Sequence, residues 1–101
     1  MKYIAMNRFK IILGKENEFE QVWRSRETYL GEVKGFKEFH FLKGESNKEY
    51  TLYSSHSVWD SKNDFVSWTK SESFKKAHKG AGKNKPLYIG RPIFEGFDII
   101  L

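Results

Sequence analysis

The 101-residue chain has no cysteine, which excludes disulfides, thiolate chemistry and zinc ribbons, and its 18 Lys and Arg against 13 Asp and Glu leave a net charge of +5. That charge favours anionic partners without choosing among nucleic acid, phosphates and carboxylates. The length predicts a single domain over residues 1–101 that buries about two-thirds of the surface its unfolded chain exposes. A cavity for a large flat ligand is then expected between sheet and helices, or at a subunit boundary. Three Trp and nine Phe are more rings than so small a core needs, which points to a flat-ligand pocket, a subunit interface, or both. Only four uncharged residues separate Lys2 from Asn7. That is too few for a signal-peptide core or a membrane span, so a cytoplasmic protein with no membrane partner is expected.

Residues 2–12, KYIAMNRFKII, alternate as a strand with Tyr3, Ala5, Asn7, Phe9 and Ile11 on one face. Asn7 is the polar exception on that face. A buried carboxamide without partners costs about 1–3 kcal/mol, so it either bonds to neighbouring backbone or offers its N–H to something bound. The opposite face, with Ile4, Met6 and Ile12 beside Arg8 and Lys10, is also partly apolar and needs cover. Gly14 turns the chain into a helix predicted to run to about Tyr29, with Phe19, Val22, Trp23 and Arg26 at helical spacing and Glu16, Glu18 and Glu20 near its N-terminal end. Gly31 and Gly35 bound a short connection. A second strand is predicted from Phe36 to Lys43, a polar hairpin loop from Lys43 to Lys48, and a third strand from Tyr50 to Val58. His40 and His56 sit singly on these strands without a ligating partner at the right spacing, and read as ordinary, partly exposed residues.

The stretch from Trp59 to Gly80, WDSKNDFVSWTKSESFKKAHKG, predicts two short helices. Asp60 or Ser61 can cap the first, on which Phe65 and Trp68 recur at i and i+3. Ser71 opens the second, where Phe74, Ala77 and His78 share a face and Gly80 is the stop. Residues 80–86 have loop composition. A last strand is predicted from Tyr88 to Leu101, with Pro92 and Gly96 marking an edge or a bulge. The element order is therefore that of an α+β, ferredoxin-like split βαβ domain, an antiparallel sheet with helices on one face. Its other face carries apolar side chains, so two chains are expected to pack sheet to sheet as a dimeric α+β barrel, a homodimer.

Asn7 followed by Arg8 on the first strand, the W-x-S-x-x-x-F-x-x-W spacing from Trp59 through Phe65 to Trp68, and the F-x-x-A-H of Phe74 to His78 resemble the IsdG-type haem-degrading monooxygenases of the antibiotic-biosynthesis-monooxygenase superfamily. The likeness spans nearly the whole chain. It implies haem as both substrate and cofactor, O2 as co-substrate, an electron-donating reductase as partner, and opening of the porphyrin at a meso carbon with release of iron. It further implies His78 as the proximal iron ligand, the metal site, with Asn7 a hydrogen-bond donor on the distal side and Trp68 a bulky group pressing on the macrocycle. Trp23, Arg26, Phe65 and Phe74 would line the pocket, Arg26 or a lysine of residues 79–85 pairing with a propionate. Phe39, Phe41 and the glycines of residues 80–82 have no counterpart in that pattern. The superfamily also includes non-haem monooxygenases, and a haem carrier without turnover would need much the same pocket. An RNA-recognition reading of the basic βαββαβ order is weaker, since Lys37, Glu38 and Phe39 break the aromatic strand motif and the segment falls on the second strand, not the third. No nucleic-acid partner is expected.

Overall fold

The computed structural model describes residues 1–26, 30–77 and 87–101. Strand β1 (Tyr3–Ile12) leads into helix α1 (Glu16–Arg24) and a single 3-10 turn at Leu30–Glu32. Strands β2 (Phe36–Ser46) and β3 (Tyr50–Trp59) form a hairpin, followed by helices α2 (Lys62–Thr69) and α3 (Glu72–Ala77) and strand β4 (Ile93–Asp98). The sheet is antiparallel throughout, in the order β2-β3-β1-β4, with the helices on one face. This is the expected α+β ferredoxin-like arrangement.

Several expected boundaries shift. Helix α1 ends at Arg24 and not near Tyr29, because Ser25 Oγ donates back to the carbonyls of Gln21 at 2.8 Å and Val22 at 3.2 Å, competing with helical continuation. Strand β2 runs beyond Lys43 to Ser46, since an irregularity between those residues absorbs the register shift. The hairpin connection shortens accordingly, and Asn47 Oδ1 accepts from the amides of Glu49 and Tyr50 at 2.7 and 2.9 Å. Trp59 closes β3, one residue beyond the expected end at Val58. Strand β4 is shorter than expected, and Tyr88 makes only an isolated bridge to Ile11. As an edge strand β4 tolerates Gly96, where a side chain would collide with the Tyr3 hydroxyl.

On β1, Tyr3, Ala5, Phe9 and Ile11 are buried on the helix side, as the alternation requires. They belong to two separate cores. One joins Phe9 and Ile11 to Phe19, Tyr53 and Leu87, with Trp23 and Phe41 against it. The other joins Tyr3 and Ala5 to Leu30 and the fully buried Trp59, with Phe65 and Trp68 against it. Trp59 Nε1 donates to Ser57 Oγ at 2.9 Å, and that hydroxyl donates onward to the Ala5 carbonyl at 3.3 Å, so the largest buried ring is also satisfied. Removing its side chain would cost about 3–5 kcal/mol. The opposite face of the sheet leaves Leu42, Ile93 and Phe97 exposed.

Two carboxylates tie α1 to β3. Glu16 Oε2 accepts from Thr51 Oγ1 at 2.8 Å, and Glu20 Oε2 accepts from Tyr53 Oη at 2.6 Å. The Tyr53 bond holds the Glu20 carboxyl below its ordinary value of 4.5, with Lys43 and Arg24 adding to the effect against the opposing cost of desolvation. Burial, with Glu20 beside it, pushes the Tyr53 phenol up. A carboxyl whose pKa is depressed in the folded state stabilises the fold above its unfolded value, and that contribution disappears as pH falls through the lower folded value. Urea denaturation from pH 6 downward should therefore show stability falling once the pH passes below about 4.5, with a shallower fall in Glu20→Gln. Identical pH slopes in the two proteins would contradict this role for Glu20.

Candidate functional site

Between the two cores the helix-side face of the sheet opens into a cavity of about 250 Å³. Its floor is made of small or polar residues, Ala5 and Asn7 from β1 and Ser55 and Ser57 from β3. The register places Asn7 directly opposite Ser55 on one side and Phe94 on the other. Short side chains leave the space that the larger Tyr3 and Phe9 fill on either side of them.

The roof follows from two serine caps. Ser61 is the cap of α2, its hydroxyl accepting from the Asp64 amide at 3.1 Å, and this sets Phe65 and Trp68 toward the floor. Ser71 Oγ donates to the Trp68 carbonyl at 2.6 Å and accepts from the Phe74 amide at 3.2 Å, so one hydroxyl ends α2 and starts α3. Phe74 consequently stands edge-on to Trp68, with centroids 4.8 Å apart and planes at 87°. Phe65 lies parallel to Phe94 at 5.7 Å and 4°, while Trp59 supports Trp68 from below at 5.3 Å. Opposite them, Trp23 and Phe39 form the remaining aromatic wall at 5.9 Å and 20°.

Three polar groups give the cavity its chemistry. Asn7 is half-buried, and among the described residues its carboxamide has no side-chain hydrogen bond, so it is not spent on neighbouring backbone there. Trp23 Nε1 is buried and also lacks an acceptor among the described residues. Arg26 lies with its guanidinium carbon 4.5 Å from the centre of the Trp23 ring, and burial pushes its pKa below the ordinary value, leaving it a cation. No carboxylate lines the cavity among the described residues. The donor set suits a ligand with a flat apolar body, acceptor atoms above Asn7, and an anionic edge toward Arg26.

The fold thus gathers Asn7, Trp23, Arg26, Phe65, Trp68 and Phe74 around one space. His78 lies outside the described residues, as do the lysines of residues 79–85 that could serve a propionate in place of Arg26. Ser55 and Phe94 escape sequence reasoning, although both are fixed once the strand register about Asn7 is known. Phe39, which matches nothing in the family pattern, is a wall residue. His40 and His56 are less isolated than their spacing suggests. They are cross-strand partners with ring centroids 6.0 Å apart, and Glu38 lies 3.6 Å from His40. They occupy the sheet face away from the cavity, and among the described residues no group of three or more His, Asp or Glu could hold a metal.

The family model of the antibiotic biosynthesis monooxygenases matches residues 2–80. The chain belongs to that family. A haem oxygenase (staphylobilin-producing) of Staphylococcus saprophyticus is 30% identical over 86 residues, covering 82% of this chain and 79% of the relative. A haem-degrading monooxygenase of Shouchella clausii is 35% identical over 66 residues, 65% of this chain and 61% of that protein's length. Among solved structures, a Bacillus cereus protein assigned to the antibiotic biosynthesis monooxygenases superposes with a TM-score of 0.79 at 18% identity, covering 100% of this chain and 93% of the other. The haem degrader MhuD of Mycobacterium tuberculosis, solved with two haems in its active site, gives 0.72 at 21% identity, covering 98% and 96%. At such identities the structures establish the common fold.

If Asn7 faces a ligand space instead of bonding to the fold, Asn7→Ala should change the unfolding free energy by less than about 1 kcal/mol in urea titrations. A loss of about 2 kcal/mol or more would return Asn7 to a structural role.

Proposed function

We propose that the protein is a haem-degrading monooxygenase that opens the porphyrin at a meso carbon, using O2 and electrons from an external donor, to give a bilin-type product and free iron. The observation that carries this reading is the convergence of Asn7, Phe65, Trp68 and Phe74 on one aromatic-walled cavity, with a carboxamide on its floor that makes no side-chain hydrogen bond among the described residues. The two relatives named for haem degradation support the same substrate. A volume of about 250 Å³ is below the usual range for small-molecule pockets, so in this reading a macrocycle extends beyond the walls described, with its charged edge at the Arg26 side.

In this reading His78, which follows Ala77 of α3 directly in sequence, binds the iron as a neutral imidazole. The bound haem supplies the O2-binding metal and the carbon that is oxidised. Asn7 would donate its N–H to an acceptor of the bound ligand without bringing a strong acid. Trp68, braced by Trp59 beneath and Phe74 beside it, resists a planar ligand. Phe65, Phe94 and Trp23 exclude water, and Arg26 pairs with a carboxylate. The proposal includes a homodimer that covers the apolar sheet face bearing Leu42, Ile93 and Phe97, a reductase partner, and a cytoplasmic location. A monomer in sedimentation at micromolar concentration would remove the dimer. Phe39 and Phe41 turn toward α1, whereas an RNA module displays its rings on the open face.

Haemin titration should give one equivalent per chain with a Soret band, and adding reductant in air should bleach that band as bilin absorption grows. His78→Ala should abolish the ferric-imidazole spectrum and turnover, while His40→Ala and His56→Ala retain both. A Soret band that needs His40 or His56, or no haemin binding at all, would overturn the reading.

A further inference from the structure

Trp23 is a wall of the cavity, and a row of side chains continues from it through the fold. Its indole lies nearly parallel to Phe41, with centroids 4.7 Å apart and planes at 19°, and Phe41 lies nearly parallel to Tyr53 at 5.5 Å and 16°. The buried Tyr53 donates its hydroxyl to Glu20 Oε2 at 2.6 Å. All four side chains border a second hollow of about 290 Å³, so small solutes can approach the far end of the row.

In a chain without cysteine, indoles and phenols are the side chains most readily oxidised by one electron. The Phe41 ring resists oxidation, but stacked between the other two it couples them without holding charge. Among the described residues Trp23 Nε1 has no acceptor, so an oxidised indole has nowhere to send its proton and remains a strong oxidant. The Arg26 guanidinium, 4.5 Å from the same ring, further disfavours positive charge there. Tyr53 is the natural next stop. Burial, with Glu20 beside it, raises its pKa, so the phenol is neutral until it is oxidised and must then shed its proton. Lys43 and Arg24 weaken Glu20 as a base, yet an oxidised phenol is a far stronger acid than any carboxylic acid. Tyr3, the phenol of the other ring cluster, has no such carboxylate among the described residues.

We propose that Trp23, Phe41, Tyr53 and Glu20 form a route that carries a one-electron oxidising equivalent from the cavity to the opposite side of the ring wall, sparing the cavity residues from oxidation. The oxidant, a species formed when haem meets peroxide, takes one electron from Trp23. The Trp23 radical cation takes one electron through Phe41 from Tyr53, whose hydroxyl proton passes to Glu20 Oε2. This leaves a neutral phenoxyl radical and a neutral Glu20. An ascorbate-type reductant in the second hollow returns one electron to Tyr53 while Glu20 returns the proton, so the net change is one electron from reductant to oxidant with no bond made or broken in the protein. The need for such a route rests on the proposed function; the transfer itself does not.

The test is pulse radiolysis of the full haem-free chain with azide radical, a one-electron oxidant that prefers tryptophan. The indole radical band should decay as the phenoxyl band grows, in a first-order phase whose rate is independent of protein concentration. Trp23→Phe and Tyr53→Phe should each remove that phase, and Glu20→Gln, which keeps a hydrogen-bond acceptor but cannot take the proton, should slow it on the order of a hundredfold. Thermal melts check that the variants are folded. Because the Glu20→Gln arm leaves every ring in place, it reads the proton step even where an aromatic variant fails to fold. No phenoxyl growth in the wild type, or growth at the original rate in Tyr53→Phe or Glu20→Gln, would overturn the proposal. Transfer in a protein that takes up no haemin would instead sink the haem reading and leave the route standing.

Discussion

The structure depends on an interruption of its own core. Strand β1 buries Tyr3 and Ala5 in one cluster and Phe9 and Ile11 in another, and between them its inward position is Asn7. An apolar side chain there would let the two clusters merge, since burial of one more such group is worth about 1.5–3 kcal/mol. Instead Asn7 faces Ser55 across β3, with Ala5 and Ser57 next along the same face, and the sheet offers a floor too short and too polar to be filled from within. The cavity is therefore a property of the strand register as much as of the helices above it.

The rest of the fold keeps that gap open. Trp59 fills one flank completely, with its indole N–H satisfied, and forms the platform on which Phe65 and Trp68 rest. Ser61 and Ser71 fix where α2 begins and ends, so that Trp68 and Phe74 hang over the floor and not beyond it. On the far side, Glu16 and Glu20 pin α1 to β3 and hold Trp23 against Phe39 and Phe41. Rigid rings around a small floor are the arrangement that preorganises a site for a flat ligand, because little side-chain entropy remains to be lost on binding.

Much of this can be read in the sequence, where local periodicity is the controlling physics. Alternation along residues 2–12 identifies the inward face of β1 and isolates Asn7; the i, i+3 spacing of Phe65 and Trp68 identifies the roof. The element order gives the fold class. What is hidden depends on partners distant in sequence. Ser55 and Phe94 become floor and wall only through β1's pairing with β3 and β4, and the meeting of His40 with His56 needs the hairpin register, which an irregularity near Lys43 alters downstream. The early end of α1 turns on the Ser25 hydroxyl choosing backbone carbonyls, an option that composition does not reveal. The paired stacking of Phe39 and Phe41 on Trp23 likewise appears only once α1 lies across β2.

The most direct test is to follow side-chain N–H resonances while titrating the protein with gallium protoporphyrin, a diamagnetic stand-in for haem. A ligand seated in the gap between the two cores should shift the Asn7 carboxamide and the Trp23 indole signals, and leave the imidazole signals of His40 and His56, on the other face, at their free positions. Shifts confined to His40 and His56, with Asn7 and Trp23 unmoved, would contradict the account.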